Sequence, residues 1–389
     1  MRVLYVSHTA VVSGGERSLL DLLGTLPPQV QPLLATPPGR LQELAQARGI
    51  ATTAIVGTAG SLRLHPLHTP KALLEMAVAA WQVRRAARRH RAVLVHANSI
   101  RAGLVLALAR LPRAATVVHV RDCLPPGALS RMTLRLIAAS ATKIVANSRY
   151  TAGSVLAAAP KADVEVVHNP VYLGRFDPGT IDREAARARL GEGRAVVLGV
   201  VAQLTPWKGQ DTAIEALSLL VAEGLDAQLL IVGSAKFLAS ATRFDNRDYV
   251  QGLHGLVAEH GLGERVSWLG ERDDVPEVMA ALDVLLLPSW EEPFGRAVIE
   301  AMALGVPVVA TEVGGPREIL TEGREGLLAP PRDAVAWAAA VAQIVRSPDG
   351  GIEMGRAGRR RVEEAFTTAH HAARMLDVYE RTISKRAGK

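Results

Sequence analysis

The chain has 389 residues, 49% of them apolar and only 4% aromatic, with 45 Lys and Arg against 38 Asp and Glu. That length exceeds one ordinary domain, and the apolar share is enough for two cores packed mainly from Leu, Val and Ala. The lone cysteine, Cys123, excludes an internal disulfide and fits a reducing cytoplasm. The opening run 1–7 is too short for a signal peptide and leads into polar residues. No uninterrupted apolar stretch reaches transmembrane length. Residues 1–180 carry 21 Lys+Arg and 8 Asp+Glu, net +13, which leaves 24 and 30, net −6, for residues 181–389. A basic front half is suited to an anionic partner.

Strand and helix signals alternate from end to end. Strands are expected over 2–7, 31–35, 52–56, 92–96, 115–120, 142–146 and 164–167. Helical periodicity falls between them, over 15–26, 71–90, 100–109, 127–139 and 150–158. After residue 180 the rhythm restarts, with strands over 195–202, 228–232, 265–269, 284–287 and 306–310. Two such series predict two doubly wound parallel sheets. The division is placed at 180/181, within a stretch holding Pro170, Pro178 and Gly179, and an apolar stripe over 367–384 predicts a last helix. Two similar domains place a ligand site in the cleft they face, at the carboxyl ends of the strands.

The most informative segment runs from Ser289 to Ala310. A strand-like run, 283–288, feeds a loop carrying Glu292; a helix opens near Phe294 or Gly295 and runs to Leu304, with Glu300 two turns down. The first turn of a helix offers unpaired N–H groups and partial positive charge, which suits a phosphate. Gly295 lets backbone approach a ligand closely. In the front half Gly14-Gly15 follows the first strand and opens the first helix, so its amides are placed for a phosphate too. There is no G-x-G-x-x-G and no Walker lysine, which argues against a dinucleotide or ATP site.

The run S-x-x-E-P-F-G followed by E-A-M-A-x-G-x-P-V-V-A resembles the E-x7-E motif of the retaining glycosyltransferases of the GT-B fold, in particular family 4. Shorter runs in the same order extend the likeness over almost the whole chain: Ser13–Arg17, Val95–Ser99, Val118–Asp122, Asn147-Ser148 and Val167–Pro170. The resemblance implies a fold of two Rossmann-like domains facing a central cleft. The acceptor side is then the first domain, 1–180, the nucleotide sugar belongs to 181–366, and the helix from 367 to 389 crosses back to the first domain. It implies that Glu300 holds the ribose, that Glu292 lies beside the donor sugar, and that the backbone of Phe294 and Gly295 touches sugar hydroxyls. Gly14 and Gly15 would close on donor phosphates or acceptor, and His119, at the end of a buried strand, would stand beside the transferred sugar.

Val201–Gly209 resembles the family loop G-R-x-x-P-x-K-G, which makes Lys208 the cation that neutralises the diphosphate leaving group. The chain departs from the family at Gln203, where arginine is usual, and Arg296 in the first helical turn is the expected compensation. Glu271 and Arg272, in the run Trp268–Arg272, resemble the loop that meets the base. No D-x-D pair is flanked by apolar strands, so neither metal nor other cofactor is expected. Asp273-Asp274 reads as a helix start before 275–281. Retention by a double displacement needs a carboxylate nucleophile under the anomeric carbon. Glu292, the one nearby candidate, contacts hydroxyls in similar enzymes, so the resemblance implies same-face substitution.

The segment 71–91 is an amphipathic basic helix, with Arg84, Arg85, Arg88 and Arg89 crowding its end and Leu73, Leu74, Ala77, Ala80 and Trp81 at helical spacing. It reads either as a core-packed helix with a solvated end or as a dock onto anionic lipid, with Leu62, Leu64 and Leu67 adding shallow insertion. Nucleic acid is not an expected partner, because aromatics are not interleaved with the arginines. The sequence thus predicts a cytoplasmic, metal-independent, retaining glycosyltransferase, on or off the inner membrane face. It would use a nucleoside-diphosphate sugar, a UDP-sugar by preference, and a lipid-linked or other saccharide acceptor. The alternatives are a nucleotide-sugar epimerase and a non-catalytic sugar-nucleotide-binding scaffold.

Overall fold

The structure, a computed structural model, describes residues 1–58, 68–191, 196–235 and 246–387. Leu62, Leu64, Leu67 and Ala195 lie outside the described residues. The chain divides into two compact units, Met1–Pro170 with Thr368–Lys389, and Val171–Thr367.

Among the described residues the first unit forms a seven-stranded parallel sheet: β1 (Arg2–Val6), β2 (Gln31–Thr36), β3 (Ala51–Ala54), β4 (Leu94–Ala97), β5 (Ala115–Val120), β6 (Lys143–Ala146) and β7 (Val164–Val166). Their order is β3-β2-β1-β4-β5-β6-β7. Every residue of β4 and β5 is buried, as expected for strands covered on both faces and therefore written as continuous apolar runs. Helices His68–His90, Ile100–Ala109 and Ala128–Ser140 cover one face, packing on Leu4, Val6, Val95 and Val118. Helices Gly14–Thr25, Arg40–Ala47 and Thr368–Ala387 cover the other, against Val3, Tyr5, Val117 and Val145.

The last helix belongs to the first unit through Ala372, Met375, Val378 and Tyr379, which share a core with Tyr5. Full burial of a side chain the size of Met375 contributes about 1.5–3 kcal/mol. Ion pairs from Arg381 to Glu165 (2.7 Å) and Lys385 to Asp163 (2.8 Å) pin its far end. These are half-exposed on the basic side and add register more than stability.

The second unit carries β8 (Val196–Val201), β9 (Ala227–Val232), β10 (Val266–Gly270), β11 (Val284–Leu287), β12 (Val308–Thr311) and β13 (Leu327–Ala329) in the order β10-β9-β8-β11-β12-β13, again all parallel. Residues 171–180, assigned from sequence to the first domain, belong here instead. Val171 N–H donates to the Phe366 carbonyl (2.8 Å), and Arg359 donates to the Phe176 carbonyl (3.0 Å). Val171 and Phe176 are both buried in this unit's core. Pro170 therefore stands at the border of the two units, while Pro178 and Gly179 mark a turn inside the second.

Candidate active site

In the second sheet the chain lays β8, β9 and β10 outward in one direction and then returns to lay β11, β12 and β13 in the other. The reversal leaves a crevice between the carboxyl ends of β8 and β11, the place where open sheets of this type bind ligands. The loop after β8 carries Lys208 and the loop after β11 carries Glu292. Lys208 Nζ donates to Glu292 Oε2 at 2.6 Å, with the side chains 20% and 11% exposed. The buried Ser289 Oγ donates to the same oxygen (3.1 Å).

Two glycines let the loops approach this closely. Gly209 has φ +68°, and a Cβ there would lie 2.0 Å from the Pro288 carbonyl oxygen. Gly314 has φ +107°, and its Cβ would lie 2.1 Å from the Glu292 carbonyl oxygen. Only glycine satisfies both the left-handed backbone and the missing volume. Backbone bonds then fix Glu292: its N–H donates to Val313 O (3.1 Å) and its carbonyl accepts from Gly315 N–H (2.8 Å). Trp290 N–H reaches across to Trp207 O (2.8 Å).

Gly295 (φ +103°) is the N-cap of the helix Arg296–Ala303, one residue shorter at each end than the Gly295–Leu304 span read from sequence. Phe294 turns its ring into the core, edge-on to Phe366 at 6.1 Å, so only its backbone serves the loop. Arg296 engages its own helix. Its Nε and Nη2 both donate to Glu300 Oε1, at 3.1 and 2.8 Å, in a pair only 13% and 12% exposed. Gln203 offers its carbonyl to Gln210 Nε2 (2.8 Å), which ties the end of the β8 loop to the next helix.

Glu271 and Arg272 follow β10, at the sheet edge two strands from β8. Ser234 Oγ donates to Glu271 (3.3 Å). Arg272 makes a two-pronged pair with Asp274 (2.7 and 2.5 Å), which holds that carboxyl below its usual range. Asp274 stands at the N-cap of Val275–Ala280 without accepting a capping bond, so the expected helix-start role passes to a salt bridge. Among the described residues no cluster of three or more His, Cys, Asp or Glu is placed to hold a metal.

The first sheet has its own reversal, between β1 and β4. Gly14 and Gly15 open the helix Gly14–Thr25 at that point, capped by Ser13 N–H donating to Glu16 Oε2 (3.2 Å). The Gly15 carbonyl accepts from Asn98 Nδ2 (3.2 Å), and the Arg121 side chain lies over Gly15. Arg121 is buried, donating to Asn98 Oδ1 (3.1 Å) and to Asn169 Oδ1, while Asn147 donates to the Arg121 carbonyl (2.9 Å). Sequence reasoning named the run 118–122 but missed Arg121; the signal was a cation directly after a fully buried strand.

The His119 ring, expected from the sequence beside the transferred sugar, is fully buried in the first unit, stacked at 6.3 Å on His371 and 5.5 Å from His96. Neither ring nitrogen has a hydrogen-bond partner. Burial, with Arg121 and the neighbouring imidazoles adding to it, pushes its pKa well below the usual range. Strand alternation sets its direction: Val118 and Val120 face one helical layer, so His119 faces the other, under the last helix. His96 shares a 2.7 Å bond with Tyr379 Oη, and His371 donates to the His168 carbonyl (2.7 Å).

Sequence reasoning also missed Arg332, whose guanidinium stacks on the Trp290 ring at 3.5 Å from a left-handed backbone (φ +62°). No local pattern announces it.

Residues 182–361 match the family profile described as glycosyl transferases group 1, and residues 12–175 match glycosyltransferase family 4. The D-inositol 3-phosphate glycosyltransferase of Mycolicibacterium vanbaalenii is 32% identical over 63% of this chain and 54% of its own. The D-inositol 3-phosphate glycosyltransferase of a Nocardioides species is 31% identical over 74% of this chain and 67% of its own. The chain thus spans roughly half to two thirds of the length of these curated relatives. Anabaena HepE, crystallised with UDP-glucose, superposes with a TM-score of 0.83 at 26% identity over 98% of this chain and 100% of that one. The fold is GT-B, and the chain belongs to the group 1 glycosyltransferases of family 4.

Proposed function

We propose that this chain transfers a sugar from a UDP-sugar to an acceptor hydroxyl, with retention of configuration and without a metal. The observation that carries the reading is the meeting of Lys208 and Glu292 at the β8/β11 reversal, next to the start of the helix that bears Glu300. The UDP-glucose complex of HepE supports the donor class. The diphosphate rests against the first helical turn, where N–H groups and the helix dipole favour an anion. Glu300, released from Arg296, takes the ribose hydroxyls. Lys208 exchanges its contact with Glu292 for the diphosphate, which frees Glu292 to accept from hydroxyls of the donor sugar.

As the bond from the anomeric carbon to the β-phosphate oxygen breaks, its electron pair stays on that oxygen, and Lys208 stabilises the charge. The acceptor oxygen attacks from the same face, and its proton passes to the departing phosphate. Lys208 and the helix start supply the positive charge that a divalent ion supplies elsewhere. Glu271, Arg272 and Gln203 form the rim of the nucleotide site, and Gly14 and Gly15 act from the first unit. The acceptor class we favour is a lipid-linked saccharide, met at the inner face of the cytoplasmic membrane; no helix among the described residues is long and apolar enough to cross one.

The test is transfer from UDP-glucose and related donors to a panel of lipid-linked and free saccharides, with the product's anomeric configuration read by NMR. An α-linked product from an α-linked donor is expected. Binding of UDP-sugars with neither transfer nor hydrolysis would assign the chain to the scaffold reading.

A further inference from the structure

The helix His68–His90 packs the opposite way from an ordinary amphipathic helix. Its buried face is small: Ala79, Ala80, Val83, Ala86 and Ala87 sit in the core. Its large apolar side chains face water, with Leu73, Leu74 and Trp81 each at least 60% exposed. Leu74, Val78 and Trp81, at spacings of four and three, form one stripe that continues into Arg85 and Arg88. Arg85 lies 5.4 Å from the Trp81 ring centroid.

Position in the fold sharpens this. Val56, two residues past the end of β3, donates its N–H to Gln82 Oε1 (2.7 Å). Gln82 therefore stands level with the carboxyl edge of the sheet, and the helix runs back from there to β4. The turns before Met76, which still packs on the core, extend about 12 Å further at 1.5 Å per residue. The carboxyl edge is where such sheets hold their ligands. A second helix on the same face, Ala128–Ser140, repeats the arrangement with Met132 (63% exposed) and Leu136 (50%). Residues 68–91 hold six Lys and Arg against one Glu, and 128–140 hold two Arg and no acid.

We propose that the projecting part of the 68–90 helix, with the exposed face of 128–140, seats the first unit on an anionic membrane surface. Leu74 and Trp81 enter the headgroup layer and the arginines of the 84–91 run meet lipid phosphates. An exposed apolar stripe alone fits several partners. One that passes directly into a cluster of arginines, with almost no acidic residue, complements a surface that is both apolar and anionic. The inference rests on the proposed transfer to a lipid-linked acceptor, because it brings that acceptor's carrier to the ligand-holding edge.

The experiment is sedimentation of the full chain with phosphatidylcholine vesicles and with mixed phosphatidylcholine–phosphatidylglycerol vesicles. The variants are Leu74→Ser/Trp81→Ser and Arg85→Glu/Arg88→Glu, with folding checked by circular dichroism and UDP binding measured in parallel. Binding to the mixed vesicles alone, suppressed by salt and weakened about tenfold or more in each double variant, is the expected result. The proposal is overturned if the chain ignores both vesicle types, binds both equally, or binds unchanged in the variants. It is also overturned if Trp81→Ser instead disperses a dimer seen by ultracentrifugation, which would make the stripe a contact between copies. UDP binding that survives in a chain that does not pellet removes the membrane surface and leaves the transferase reading standing.

Discussion

Lowering the pH from about 7.5 to about 5.5 is expected to cost the first unit about 4 kcal/mol of stability, well before its carboxylates titrate. Three imidazoles carry the effect. His96 and His119 are fully buried, and burial and the nearby Arg121 push both pKa values well below the usual range. Burial, reinforced by Arg101, lowers His8 to about 4. The sign follows from which state takes the proton. In the unfolded chain each histidine titrates near pH 6.5, whereas in the folded chain it stays neutral, so stability is complete above 6.5 and drains away as the pH falls below it. One imidazole that refuses its proton costs about 1.4 kcal/mol for each pH unit below 6.5, so three cost about 4 kcal/mol at pH 5.5. That is a large fraction of the usual 5–15 kcal/mol of a domain. Urea unfolding at the two pH values, read by amide exchange in β4 and β5, measures the loss. His119→Leu removes one proton site and should flatten the dependence by roughly a third. Stability that changes by less than about 1 kcal/mol across this range, or a His119→Leu variant with the parent's pH dependence, would refute the reasoning.

Gly209→Ala should destabilise the second unit by about 2–4 kcal/mol in urea unfolding, because the new methyl group meets the Pro288 carbonyl. Gly224→Ala is the matched control: its φ is also positive (+83°) but no atom lies within 4 Å, so only the backbone term of about 1 kcal/mol is expected. Equal losses in the two would mean that the loop moves aside. Arg296→Ala should weaken UDP binding by about tenfold in calorimetry while leaving uridine binding nearly unchanged, if the guanidinium acts on the phosphates. An equal loss for both ligands would assign Arg296 to holding Glu300 for the ribose. Glu292→Gln should lower turnover more than UDP affinity, because Glu292 is assigned to the sugar and not to the nucleotide; the opposite order would contradict that assignment.

Strands buried on both faces were the most legible part of the chain. β11 begins and ends where its unbroken Val and Leu run does, between Asp283 and Pro288, as expected of a strand buried on both faces. β13 was not read as a strand because it has three residues and follows a glycine turn. The 68–90 helix was legible as a helix, but periodicity does not say which stripe faces in. Close packing on the Ile100–Ala109 helix selects the alanines, and the projecting turns have no sheet beneath them. The candidate site divided in the same way. Lys208 and Glu292 lie 84 residues apart and meet because both follow strands at one reversal, a consequence of topology that their motifs shared. His119 was read from its place at a strand end; its burial depends on the last helix, some 250 residues later, which no local pattern shows. Arg332 holds its position on the Trp290 ring through a contact that no local pattern records.

The most direct measurement is a crystal structure of the chain with UDP. The account predicts the diphosphate against the first turn of the Arg296–Ala303 helix, Lys208 Nζ moved from Glu292 onto a phosphate oxygen, and the ribose hydroxyls on Glu300. A nucleotide bound elsewhere, with the Lys208–Glu292 contact intact and that helical turn closed over by its own side chains, would contradict it.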